Sequence, residues 1–151
     1  MIERPKLIII VMLLWLSLSA IFLSWGVYSI TVMIQIPNWV DIEEISSIVP
    51  VLHFVYLIST IVWFVFSSLF IVFAYGTFRK DSWVWTTGVI ISTIFLAVFG
   101  LMLASFMINA IMFKDDFSIT GLTTVILSFI TDLGIVFFLT RPNTKAYFEL
   151  K

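Results

Sequence analysis

Residues 82–113 read SWVWTTGVIISTIFLAVFGLMLASFMINAIMF, without a single Asp, Glu, Lys or Arg. A helix needs roughly 20 apolar residues to cross a hydrocarbon core about 30 Å thick. This tract exceeds that length. A helix packed on the core of a soluble domain keeps a polar face; one that is apolar all round belongs in a large core or in a membrane. The same pattern recurs outward from this tract. Residues 7–40 and 45–78 carry no charge, and residues 117–140 carry only Asp132. The spacing predicts helices near 7–34, 50–78, 83–112 and 119–140. The expected fold class is therefore all-α: a polytopic membrane protein, a four-transmembrane-helix bundle forming a single domain over 1–151. The first apolar tract is too long for a signal peptide and has no A-x-A-like site after it, so it reads as a retained span.

Composition agrees. Hydrophobic residues make up 62% and charged residues 11%, against about 25% charged in ordinary soluble domains. There is no cysteine, which removes disulfides, thiolate metal sites and cysteine nucleophiles. No H-E-x-x-H, G-x-S-x-G or phosphate-cradling glycine loop occurs, and no basic stripe offers a nucleic-acid surface. No cofactor is expected.

The few cations set an orientation. Arg4, Lys6, Arg79, Lys80, Arg141, Lys145 and Lys151 fall in segments that share one side of a four-span chain, and Lys114 falls on the other. Lys and Arg collect in cytoplasmic segments, so both termini are expected in the cytoplasm and the chain in the plasma membrane. The opposite loops are acidic, with Asp41, Glu43, Glu44, Asp115 and Asp116. Trp39, Trp83, Trp85, Tyr147 and Phe148 flank the spans, where bulky rings suit the interface. Between Pro37 and Pro50, the residues Trp39, Ile42, Ile45 and Val49 recur at helical spacing. They suggest a short amphipathic helix on the outer leaflet; an irregular loop is the alternative.

Small and polar residues mark helix contacts in lipid, because the tails are as apolar as leucine. Helix 1 carries Ser17, Ala20, Ser24, Tyr28, Thr31 and Gln35 at steps of three and four. Helix 2 places Tyr56, Thr60 and Ser67 on one face. Helix 3 carries Thr93, Ala97, Gly100 and Ala104, and helix 4 carries Gly121, Thr124, Ser128 and Asp132. These stripes are read as packing faces. The other face of helix 4, with Val125, Phe129, Val136 and Leu139, is read as suited to lipid or a partner.

Two polar positions carry chemistry. Asp132 is the only carboxylate within a span, about 13 Å from the cytoplasmic end at 1.5 Å per residue. Counting equal depths puts Ser17, Ser67, Ser68, Ser92 and Thr93 at its level, a layer of hydroxyls without a cation. An intramembrane acid is by default a functional candidate, here a proton- or cation-coupling carboxylate. The plainer reading is an interhelical hydrogen bond. His53, the only histidine, lies near the outer end of helix 2, where Glu43 and Glu44 could join it in a weak outer metal site. A lone interfacial histidine is more often a simple hydrogen-bonding residue.

The chain resembles the broad set of small four-helix integral membrane proteins of unknown function from archaea and bacteria. The resemblance is carried by Arg4-Pro5-Lys6, Asp132-Leu133-Gly134, Arg141-Pro142 and Lys145-Ala146-Tyr147-Phe148. It implies the four-helix architecture and brings no catalytic residues. In size and span count the chain is also similar to small multidrug-resistance transporters, which use a glutamate in the first helix; helix 1 here has no acid. The expected function is a non-catalytic accessory or structural subunit of a larger membrane complex, one version being an archaeal membrane metalloenzyme such as ammonia monooxygenase. The expected partners are the lipid bilayer and other membrane subunits or further copies of the chain. The alternative is a small homo-oligomeric proton- or cation-coupled transporter using Asp132.

Overall fold

The computed structural model describes residues 6–35, 49–112 and 119–149. They form five helices: α1 (Lys6–Gln35), α2 (Val49–Arg79), α3 (Ser82–Met112), α4 (Ile119–Leu139) and α5 (Pro142–Glu149). The first four are long and apolar enough to cross a membrane, and their bounds follow the uncharged tracts closely. The short helix α5 has no counterpart among the expected elements. It is too polar to show an apolar tract, and its start signal is only Pro142 just inside the first turn, where a missing N–H costs nothing. The segment expected to form an outer amphipathic helix, together with Glu43 and Glu44, lies outside the described residues.

The turn between α2 and α3 takes two residues, Lys80 and Asp81. Asp81 N–H donates to the Gly76 carbonyl at 3.0 Å and Lys80 N–H to the Thr77 carbonyl at 3.3 Å. This is the bond pair of a Schellman motif, which satisfies the last carbonyls of a helix and needs a left-handed residue at its end. Lys80 takes that role, with φ of 65°. The closeness of the two helices depends on Gly76: a methyl group there would collide with the Val84 side chain.

The chain divides into two compact units. One combines residues up to 18 with residues from 71 onward; the other is residues 19–70. In the first unit, α3 and α4 run antiparallel. A methyl built on Gly88 would meet Leu139 at 3.3 Å, and one on Gly100 would meet Phe129 at 3.7 Å. Gly121, Val125, Ser128, Asp132, Ile135 and Leu139 are the buried face of α4, with Thr131 beside them. Their alternating steps of four and three make a seam like that of a coiled coil. Val125 and Leu139 therefore belong to the interior and not to the outward face expected from polarity alone: the seam is set by spacing, and apolar residues fill it as readily as small ones. Trp15 stacks on Phe73, ring centroids 4.8 Å apart, and both are fully buried. Trp85 Nε1 donates to the Leu139 carbonyl at 2.8 Å, capping the C-terminal end of α4, where carbonyls have no helical partner. Helix α5 docks on α3 and α4 through buried Thr144 and Phe148. Phe148 is thus a core residue and not an interfacial ring.

In the second unit α1 and α2 pack through aromatic rings. Phe22 meets Trp63, Phe66 and Phe70 at centroid distances of 5.3, 5.8 and 5.2 Å, and Trp25 stacks on Trp63 at 6.0 Å. Gly26 admits the Phe64 ring, 3.3 Å from where a β-carbon would stand.

The basic end of the first unit gathers Arg79, Lys80, Arg141 and Lys145. Each lies over a ring: Arg79 on Tyr75, Lys80 on Tyr147, Arg141 on Phe137 and Lys145 on Trp85, at 5.7, 5.2, 4.1 and 5.3 Å from the ring centroids. Such contacts hold the aliphatic stems against apolar surface while the charged heads stay outside it.

Candidate functional site around Asp132

Asp132 sits on the buried seam of α4 and has no solvent exposure. Nearby geometry fixes its depth. A methyl on Gly88 would lie 3.2 Å from the Trp15 ring as well as 3.3 Å from Leu139, so Trp15, Gly88 and Leu139 share one level. Asp132 is two helical turns along α4 from Leu139, about 10 Å farther from the basic end. Ser92 is one turn along α3 from Gly88, about 6 Å in the same direction. Gly134, two residues after Asp132, lets Leu14 of α1 approach to 3.3 Å from its missing β-carbon. Helix α1 thus passes α4 at this depth, while the carboxyl itself lies on the buried seam of α4.

Ser92, also fully buried, is the hydroxyl that acts on the Asp132 carboxyl. Neither carboxyl oxygen, nor Ser92 Oγ, has a hydrogen-bond partner among the described residues. Thr77 and Thr144, both buried nearer the basic end, carry unpartnered hydroxyls as well.

The other residues of the expected hydroxyl layer lie elsewhere. Ser17 points outward and donates to its own helix, to the Leu13 carbonyl at 2.9 Å. Thr93 is exposed and donates to the Val89 carbonyl at 2.7 Å. Ser68 is exposed. Ser67 is buried, but its partner is Ser19, a residue outside the polar stripe expected of helix 1. Equal counting of residues along helices gives depth but not azimuth, and that separates Ser17 from Ser19.

Packing positions divide in the same way. Gly121 and Ser128 are buried, while Thr124 is half-buried and bonds back to the Thr120 carbonyl at 2.8 Å. Gly100 is half-buried, and Ala97 and Ala104 are exposed. Along α1, Ser17, Ala20, Ser24, Tyr28, Thr31 and Gln35 are all exposed. The interior face is instead Ile8, Val11, Trp15, Leu18, Phe22, Gly26, Ser29 and Val32 with Ser19, a run of large side chains relieved by small ones.

Comparison with protein-family models, with curated proteins and with solved structures finds no match. The reading of the site therefore rests on its own chemistry. His53 is half-buried, with Nδ1 3.0 Å from the Val49 carbonyl, a local contact within α2. Among the described residues no group of three or more His, Cys, Asp or Glu could hold a metal ion. What remains is a single enclosed carboxyl facing one hydroxyl, an arrangement able to hold a proton or bind water.

Proposed function

We propose that the chain is a non-catalytic subunit of a larger integral membrane complex, inserted with its basic end toward the cytoplasm and docking laterally through its helices. The observation that carries this reading is the outward direction of the polar and small residues of α1 and α3. Ser17, Ala20, Ser24, Thr31 and Gln35 on α1 are exposed, as are Thr93, Ala97 and Ala104 on α3. In lipid, such residues gather where helices meet, because they let backbones approach and hydroxyls bond across. A chain that used them only for its own packing would turn them inward. The hydroxyls of Ser17, Ser24, Thr31 and Thr93 bond back to their own helices, so the faces tolerate lipid before a partner arrives. The test is gentle detergent extraction followed by native mass measurement. A complex containing other membrane chains supports the reading, and a lone monomer overturns it.

A second reading is favoured by one specific observation, the enclosed Asp132 carboxyl with no bonded protein partner. It makes the chain a small homo-oligomeric transporter coupled to protons or cations through Asp132. Reconstituted vesicles would then show a proton- or cation-dependent flux that Asp132→Asn abolishes while leaving the fold intact. A flux unchanged in that variant removes this reading.

A further inference from the structure

We infer that Asp132 and Ser92 form an internal hydrated site, in which water bridges the carboxyl to the hydroxyl.

The argument begins with what serine and threonine ordinarily do inside helices. Their hydroxyls can bond to the carbonyl one turn back, and several buried ones among the described residues find a partner. Thr60, Ser128 and Thr131 bond back to Tyr56, Thr124 and Leu127, and Ser19 and Ser67 bond to each other's carbonyls. Ser92, Thr77 and Thr144 do not, although each has no exposed surface. The Asp132 carboxyl likewise has two enclosed oxygens without a hydrogen bond. Buried polar groups in folded proteins are almost always bonded, to protein or to ordered water.

Depth along the helices orders these groups. All belong to the unit formed by residues up to 18 and from 71 onward. Thr77 follows Gly76, which touches Val84, and Val84 is one turn of α3 before Gly88, about 6 Å toward the basic end. Thr144 lies on α5, beyond the end of α4. Ser92 and Asp132 lie on the other side of the Gly88 level. Thr77 and Thr144 therefore lie on the basic side of the packed Trp15–Gly88–Leu139 level, and the Asp132–Ser92 pair on the inner side, with Asp132 the deepest.

Water is the occupant the chemistry favours. The carboxyl and the Ser92 hydroxyl supply donors and acceptors for molecules that make about three hydrogen bonds each. A resident divalent metal would need further anionic or imidazole ligands, and none gathers there among the described residues. The inference stands whether or not the chain assembles with others, because its test reads water and not assembly.

The test is solid-state NMR on the full chain in lipid, with magnetisation transferred from water to protein. Asp132 is the only aspartate followed by leucine, so labelling Asp with ¹³C and Leu with ¹⁵N assigns it without any substitution. Asp81, in the surface turn, is the internal reference. Build-up at the Asp132 carboxyl carbon comparable to that at Asp81 is expected if ordered water lies against it. A slower build-up means the carboxyl is sealed from water and overturns the inference.

Discussion

Ser19 and Ser67 clasp α1 to α2 reciprocally: each Oγ donates to the other residue's carbonyl oxygen at 3.0 Å, and the two Oγ atoms stand 3.0 Å apart. Only small side chains allow this approach. Because the two bonds form one unit, their loss should be non-additive. Ser19→Ala and Ser67→Ala should each destabilise the chain by roughly 0.6 kcal/mol, with an upper bound near 1.7. The double variant should cost less than the sum. Thermal unfolding in detergent for the four members of the cycle gives the coupling, and strict additivity would show that the clasp is not a unit.

Gly76 and Gly100 should respond oppositely to a methyl group. At Gly76 the methyl meets the stiff Val84 side chain beside the Schellman turn, and overpacking of this kind costs about 1–3 kcal/mol. At Gly100 it meets only the Phe129 ring at an ordinary 3.7 Å, while alanine is the better helix former by about 1 kcal/mol. Gly76→Ala should therefore lower the melting temperature, and Gly100→Ala should leave it unchanged or raise it. Equal effects would contradict the close approach of α2 and α3 at the turn.

Asp132 should prove nearly silent in stability. Neither carboxyl oxygen holds a direct bond to a protein group, so Asp132→Asn should change unfolding free energy by less than about 1 kcal/mol, the scale of one net hydrogen bond. A loss of several kcal/mol in the Asn variant, measured by reversible unfolding in micelles, would mean the carboxyl ties the helices after all.

The outward stripe of α1 should control assembly without controlling the fold. Ala20→Leu and Ser24→Leu add bulk where both residues are exposed, so the chain itself should keep its melting temperature. Co-purification of partner subunits, or self-association, should fall, because bulk at a small-residue face keeps helices apart. Retained assembly in the paired variant would move the docking surface away from α1.

The helices were legible because charge marks their ends. Arg79 and Lys80 with Asp81 terminate one uncharged tract and open the next, and the structure turns there within two residues. Azimuth was less legible. In a water-soluble helix polarity tells inside from outside. In these apolar helices the interior face of α1 holds Trp15, Leu18 and Phe22, while Ser17, Ser24 and Thr31 face outward. Asp132 itself stood out as the one acid in an uncharged tract, and Ser92 as a hydroxyl at its level. That both groups would be fully buried and without a partner among the described residues depends on rotamers, which no pattern of residue types encodes. Helix α5 was missed because eight mostly polar residues show neither an apolar tract nor a strong capping pattern, although Thr144 and Phe148 anchor it.

The four-span account is tested most directly by the sidedness of single thiols, for which the cysteine-free chain is a clean background. Arg79→Cys, Lys145→Cys and Glu43→Cys would each be exposed to a membrane-impermeant maleimide in sealed vesicles of known orientation. The account predicts that positions 79 and 145 react only from the cytoplasmic side and position 43 only from the opposite side. Reaction of positions 43 and 79 from the same side would show that α2 does not cross the bilayer, and would contradict the architecture on which every functional reading here is built.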